Sequence, residues 1–101
     1  MKLVYKNDEI EVTQTHNKRI MYYKIPKLRN AIIIYDCNSY SSIGSKQRVD
    51  MVLVDDNFHI ISICKEMHEN TIQIDERAKH TILIPLNTLK DLELSTKFYL
   101  Y

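Results

Sequence analysis

Residues 39–50, SYSSIGSKQRVD, place hydroxyl, cationic and acidic side chains together immediately before an apolar strand. The acid, Asp50, shares one face of that strand with Val52 and Val54, because side chains alternate between the two faces of a strand. A buried carboxylate requires N–H donors or a cation, since an unpaired buried charge is costly. One hypothesis is that Asp50 fixes the serine-rich loop through hydrogen bonds. The other is that this stretch contacts a ligand. The ligand-binding residues would then be Tyr40, Ser42, Ser45, Arg48 and Asp50.

The other reactive residue types form no motif for catalysis, metal binding or cofactor binding. Cys64 and His68 give only a Cys-x₃-His spacing without a Cys-x₂-Cys partner, so no metal site is predicted. The serines lack the Gly-x-Ser-x-Gly elbow of a hydrolase nucleophile. A single glycine excludes a phosphate-cradling loop, which needs several. We therefore expect no cofactor. A non-catalytic domain that binds a ligand or a protein is favoured over an enzyme.

Residues 12–35 carry five cations and no acid, in a chain whose net charge is +1. Tyr22 and Tyr23 lie among these cations, and such interleaving is typical of surfaces that bind single-stranded nucleic acid. A solvated helix face would give the same pattern, and a pI of 7.8 argues against a dedicated nucleic-acid binder. Weak binding of a polyanion or single-stranded nucleic acid is the alternative hypothesis. Its residues would be Lys18, Arg19, Lys24, Lys27 and Arg29.

Short strand patterns separated by polar turns run through the chain. The continuous apolar run AIIIY, residues 31–35, predicts a strand that is buried on both faces. Asp55-Asp56-Asn57 predicts the turn of a hairpin between residues 49–54 and 58–64. The remaining predicted strands are 2–5, 9–13, 71–74, 80–84 and 97–101.

Two short helices complete the predicted elements. The first follows an N-cap at Thr13 or Thr15 and ends near Lys24, before Pro26. The second covers residues 85–92, where leucines recur every third position. These elements are too short for repeated strand–helix–strand units. The fold class predicted for residues 1–101 is therefore a single compact α+β domain. It would contain an antiparallel-rich, strongly curved sheet or partial barrel of about seven strands.

Three stretches in this order resemble the uncharacterised "domain of unknown function 192" family. RIMYYK (19–24) is similar to the family's Arg-Gly-Leu-Met-aromatic-Arg segment. VDMVLVDDNFHIISI (49–63) is similar to its Leu-Asp-hydrophobic hairpin, and AKHTILIP (78–85) to its Ala-Arg-Tyr-Val-Leu-Glu-Leu-Pro strand. The resemblance runs from about Glu11 to the C-terminus. It implies a compact, antiparallel-rich α+β fold and no known reaction.

The chain departs from this family around Asp50. The family's Phe-Trp-Met-Lys-Asn-Thr segment falls on residues 40–45, which keep the aromatic as Tyr40 and the hydroxyl as Ser45. The family's lysine and tryptophan are absent there, and its later glutamate falls on Leu83. The charged groups best suited to hold a polar ligand are thus missing, which again favours a non-catalytic role.

Composition and hydropathy indicate where the protein works. No apolar run approaches the ~20 residues of a membrane helix, and the N-terminus is not a secretory signal. A cytoplasmic location, reduced cysteines and no membrane partner are therefore expected. The C-terminal strand, KFYLY, would lie at a sheet edge. An uncovered edge there allows a homodimer, in addition to an unknown small ligand or protein as partner.

Overall fold

The computed structural model describes residues 1–16, 28–42, 48–68 and 71–101. Within these residues the chain forms strands, turns and loops, and no helix. The strands are β1 (Lys2–Tyr5), β2 (Asp8–Thr15), β3 (Ala31–Ile34), β4 (Ser39–Ser41), β5 (Val49–Val54), β6 (Ile60–Met67), β7 (Ile72–Ile74), β8 (His80–Pro85) and β9 (Tyr99–Leu100).

Seven strands form one mixed, strongly curled half-barrel sheet in the order β6-β5-β8-β3-β2-β1-β9. Every neighbouring pair in it is antiparallel except β2 and β3, which are parallel. β4 and β7 form a separate antiparallel two-stranded sheet. The predicted compact domain with a strongly curved, antiparallel-rich sheet is confirmed. Its class differs, because the described residues are mostly β rather than α+β.

The central strands β3, β5 and β8 are buried at every residue, as the AIIIY run predicts for β3. Alternating side chains of these strands therefore enter two apolar cores, one on each face of the sheet. The first core contains Tyr5, Ala31, Ile33, Val52, Val54, Ile82, Ile84 and Phe98, among others. The second core contains Ile32, Ile34, Tyr40, Met51, Leu53, Met67 and Leu83, among others.

The C-terminal segment, residues 95–101, joins the two ends of the curled sheet. Its strand β9 pairs with β1. Earlier in the segment, the Thr96 carbonyl accepts the N–H of Ile60, the first residue of β6, at 2.8 Å. The Ser95 N–H donates to the Ile60 carbonyl, also at 2.8 Å. This short segment thus holds the curl and encloses the first core.

The two-stranded sheet of β4 and β7 covers the second core. Tyr40 of β4 is buried in that core. Gln73 of β7 faces the large sheet, and its Nε2 donates to Ser62 Oγ on β6 at 2.8 Å. β4 lies inside the stretch that the sequence predicts as a loop, because three residues carry too little alternation to indicate a strand.

The predicted helix over residues 85–92 is wrong. β8 ends at Pro85, and one turn follows, in which the Thr88 N–H donates to the Pro85 carbonyl. Asn87 and Asp91 then have φ angles of 61° and 57°, a left-handed conformation that no right-handed helix contains. No helix among the described residues is long and apolar enough to cross a membrane.

The N-cap predicted for the first helix, at Thr13 or Thr15, is wrong. Thr13 and Thr15 are β-strand residues, since β2 continues to Thr15 and pairs with β3. The β-branched threonines suit a strand better than a cap here, because β3 is available to satisfy their backbone groups. The rest of that predicted helix lies in residues 17–27, outside the described residues.

The C-terminal closure predicts that substitutions of two neighbouring aromatic residues, Phe98 and Tyr99, lower the stability of the protein by very different amounts. Phe98 is 1% exposed and packs against Tyr5 with ring centroids 4.9 Å apart, whereas Tyr99 is half exposed. Phe98→Ala should lower the free energy of unfolding by about 3–5 kcal/mol, since it removes a buried ring and leaves a cavity. Tyr99→Ala should cost less than about 1 kcal/mol. Urea unfolding followed by circular dichroism measures both. Equal losses would contradict the closure described above.

Candidate functional site

Asp50 is fully buried on the β5 face that also carries Val52 and Val54. Its Oδ1 accepts the backbone N–H of Glu66 at 2.9 Å. Its Oδ2 lies 3.4 Å from the Nζ of Lys65. Both partners are on β6, not on the serine-rich loop. Asp50 therefore bonds to the adjacent strand, whereas the hypothesis placed its hydrogen bonds on the serine-rich loop.

The Glu66 N–H needs this acceptor because β6 bulges at that point. Val49 pairs with Met67, while Met51 pairs with Cys64, so β6 has one residue more than β5 over this interval. The extra residue of a bulge is left out of the backbone ladder. Glu66 also has a φ of 48°, the left-handed conformation that favours glycine. The Asp50 carboxylate satisfies the N–H of this residue, which an unbroken ladder would otherwise pair.

Lys65 is a charged neighbour of Asp50 that the sequence did not indicate. If the pairing of Val54 with Ile60 at the turn continued without bulges, Asp50 would face Cys64 instead. The register shift between Leu53 and Val54 moves Lys65 opposite Asp50, and no glycine marks it. The Lys65 side chain is 48% exposed whereas Asp50 is fully buried, so water reaches the lysine end of this ion pair. Burial, followed by the charge of Asp50, raises the pKa of the Cys64 thiol.

Ser42 is fully buried and ties β4 to β7. Its Oγ accepts the Thr71 N–H at 2.9 Å and lies 2.5 Å from the His68 carbonyl, to which the hydroxyl donates. Its backbone N–H donates to the Thr71 carbonyl at 2.8 Å. This hydroxyl is therefore committed to internal bonds, and its effect is to hold the start of β7 in place.

The remaining predicted site residues fall in different environments. Arg48 is exposed, and Ser45 lies outside the described residues. Tyr40, Ser42 and Asp50 are buried, and the last two bond to different strands. Of the predicted polyanion-binding residues, Arg29 is exposed. Those outside the described residues are Lys18, Arg19, Lys24 and Lys27.

The exposed edge of β7 is a surface that the sequence analysis missed. The N–H of Asp75 donates to the Asn38 carbonyl, and the Thr71 carbonyl accepts the Ser42 N–H. Since alternate residues of an antiparallel strand face the same neighbour, Thr71, Gln73 and Asp75 direct their backbone groups toward β4. Ile72 and Ile74 direct theirs away from it. Among the described residues, β4 is the sole strand that pairs with β7.

The side chains of Ile72 and Ile74 are also exposed, at 55% and 62%. They lie on one face of β7, opposite the buried-facing Gln73. We call these two side chains, with their outward N–H and C=O groups, the β7 edge. The sequence signal for it is the alternation in TIQID, residues 71–75, which reads as a short strand with two apolar residues on one face. That pattern predicts a strand but does not say which face the protein covers.

A cluster of four rings lies at another place in the fold. Tyr35 stacks on His16 with centroids 5.1 Å apart and meets the edge of His80 at 5.0 Å. Phe58 stacks on His80 at 5.4 Å. The Asp36 N–H donates to His80 Nδ1 at 3.0 Å, so this nitrogen must be unprotonated. Burial lowers the pKa of His80 and raises that of Tyr35.

A shallow depression of about 280 Å³ lies beside the predicted Asp55-Asp56-Asn57 turn. Arg77 and Lys79 line it, but both pair with nearby acids. Arg77 forms a two-bond pair with Asp75, whose pKa falls to about 2 because of the hydrogen bonds from Arg77. Lys79 lies 3.2 Å from Asp36. An anionic ligand would have to displace these acids, so the depression is a weaker candidate than the β7 edge.

No group of three or more His, Cys, Asp or Glu residues in the described part of the chain could hold a metal ion. Comparisons with protein-family models, with curated proteins and with solved structures find no match. The resemblance to the "domain of unknown function 192" family therefore stays a prediction.

The bulge predicts that Asp50 contributes to stability mainly as a hydrogen-bond acceptor. Asp50→Ala leaves the Glu66 N–H unpaired and should lower the free energy of unfolding by about 1–3 kcal/mol. Asp50→Asn keeps an acceptor oxygen at the same place and should cost clearly less. Asp56→Ala, at the exposed turn, is the control and should change little. Urea unfolding provides the comparison. A loss for Asn as large as the loss for Ala would show that the charge, which both variants remove, matters more than the hydrogen bond.

The His80 environment predicts a pH dependence of stability. Because burial lowers the pKa in the folded state, the unfolded chain binds the proton more readily. The contribution of His80 is complete above the unfolded pKa of about 6.5 and is lost as the pH falls through the lower folded value. His80→Gln keeps an acceptor for the Asp36 N–H. It removes the contribution of His80 to the slope of the free energy of unfolding against pH. Urea unfolding between about pH 7.5 and 5 measures the difference. Identical slopes for both proteins would refute the assignment.

Proposed function

We propose that this protein is a non-catalytic interaction module that binds an extended segment of a partner protein along the β7 edge. The observation that carries the proposal is the coincidence of two features at Ile72 and Ile74. Their backbone N–H and C=O groups point away from β4, and their side chains are more than half exposed. Addition of a strand to an open sheet edge uses both features, since backbone bonds give affinity and alternate side chains give specificity.

The interior of the protein supports a preformed edge. Ser42 bonds to both backbone groups of Thr71, and the Gln73 amide is held by Ser62 on β6. Asp50 in turn supports the bulge of β6. A strand that is already ordered loses less conformational entropy when it binds a partner. In this proposal the predicted contact residues Ser42 and Asp50 position the binding surface and do not touch the partner.

The expected partner segment is extended and apolar on one side. Ile72 and Ile74 each offer one backbone donor and one acceptor. Full burial of an isoleucine side chain contributes about 1.5–3 kcal/mol, and part of that remains to be gained at these two exposed residues. These gains must offset the cost of association, about 4–15 kcal/mol. The contact is therefore weak unless the partner also covers surface beyond β7.

The proposal predicts that β7-edge variants lose peptide binding without losing the fold. A random library of displayed peptides, each about 12 residues long, can be selected on the immobilised domain. Peptides that also bind the double variant Ile72→Lys/Ile74→Lys are removed by negative selection. Leu94→Lys is the control, because Leu94 is about as exposed as the two isoleucines but lies outside the β7 edge. Peptides with alternating apolar residues should bind the wild type and the control at least about tenfold more tightly than the double variant. This corresponds to about 1.4 kcal/mol.

Circular dichroism and urea unfolding should show that the double variant remains folded, because both substituted side chains are exposed. Enriched peptides that bind all three proteins equally would contradict the proposal. So would the absence of any peptide that prefers the wild type.

A further inference from the structure

The pattern of polar and apolar residues in 71–75, Thr-Ile-Gln-Ile-Asp, is symmetric about Gln73. An isoleucine lies on each side of the central glutamine, and a polar residue follows at each end. The exposures of the two isoleucines, 55% and 62%, are nearly the same. We propose that the partner strand of the β7 edge is β7 of a second copy of this chain. This inference rests on the proposed function and names its partner.

Antiparallel pairing of two β7 strands about a two-fold axis at Gln73 satisfies the outward backbone groups. In this register Ile72 faces Ile74 of the second copy, and Ile74 faces Ile72. Both residues of each pair direct their N–H and C=O groups to the open edge, as a hydrogen-bonded antiparallel pair requires. A continuous four-stranded sheet, β4-β7-β7-β4, results. No other antiparallel register pairs both isoleucines of one copy with both isoleucines of the other.

The side chains are compatible with the same register. The four isoleucines form one apolar patch on a single face of the new sheet. Gln73 lies on the other face, where each copy holds its own amide through Ser62. Asp75 falls opposite Thr71 of the second copy, so this register places no acid against an acid. Like charges directly opposite would destabilise the pair.

The C-terminal edge, from which the sequence predicts a homodimer, is shorter. β9 has two residues, and Tyr101 and Lys2 already exchange backbone hydrogen bonds with each other. Phe98 donates its N–H to Phe58. Among the described residues of this edge, Leu100 is left with outward backbone groups. The β7 edge offers two such residues, both with exposed apolar side chains, and is the better site for self-pairing.

Charge-complementary variants test the partner and the register together. Ile72→Lys alone and Ile74→Glu alone each place a charge against an isoleucine in a self-pair, so each should weaken self-association. In an equimolar mixture, the introduced lysine faces the introduced glutamate of the other copy, and the remaining two isoleucines face each other. Sedimentation equilibrium should therefore show wild-type dimers that form at about 0.1–1 mM, as expected for a small interface. Association of either variant alone should be at least about fivefold weaker than that of the wild type. The equimolar mixture should regain association close to the wild-type strength.

The alternatives give different results. Pairing of Ile72 with Ile72 brings no introduced lysine opposite an introduced glutamate, so the mixture would gain no ion pair. Dimerisation through β9 would leave both variants associating like the wild type. Either result overturns the inference. A wild-type protein that stays monomeric at about 1 mM also overturns it. If selected peptides still bind the wild type and not Ile72→Lys/Ile74→Lys, the proposed function stands while self-pairing fails. If neither peptides nor a second copy distinguish these proteins, both fail.

Discussion

The fold depends on the need to cover a sheet that is apolar on both faces. β3, β5 and β8 bury every residue, so neither face of the central sheet can remain in water. Curling of the sheet, closed by the C-terminal segment, covers the first core. β4 and β7 cover the second core with a layer of two short strands. A layer of two strands has two outer edges, and this is the physical origin of the β7 edge.

Buried and half-buried polar groups hold this thin layer in position. Ser42 pairs with the backbone of Thr71, and Ser62 binds Gln73, so β7 is attached at two successive inward-facing residues. Asp50 satisfies the bulge of β6 at Glu66, four residues along that strand from Ser62. Buried polar groups that are fully bonded fix one arrangement of the chain, because an alternative arrangement would leave them unsatisfied. Ser42 and Asp50, which attract attention in the sequence, thus form hydrogen bonds inside the protein.

Much of the large sheet is predictable from residue pattern. The AIIIY run and the Asp55-Asp56-Asn57 turn locate β3 and the β5–β6 hairpin, because β-branched runs and turn residues act locally. The helix over 85–92 is wrong because a three-residue leucine spacing cannot reveal the left-handed conformation of Asn87. With one glycine in the chain, some of these positions fall on residues such as Lys6 and Glu66, whose types give no signal for a left-handed conformation.

The candidate site is harder to predict for the same reason. The position of Lys65 beside Asp50 depends on the register shift between Leu53 and Val54, and the open edge of β7 depends on which strands lie beside it. Both are properties of the whole fold. Sequence alone places Ile72 and Ile74 on one face of a strand. The structure adds that both side chains are exposed and that, within the described part of the chain, β4 alone pairs with β7.

Amide hydrogen exchange in dilute protein tests this account most directly. The backbone N–H groups of Asp75 and Gln73 should be protected from exchange. The first donates to the Asn38 carbonyl, and the second faces β4. The Ile72 and Ile74 amides should exchange at least about tenfold faster, since they point into solvent. Alternating fast and slow exchange along β7 is the result expected. Equal protection of all four amides in the monomer would show that the β7 edge is covered and would contradict its proposed role as a binding surface.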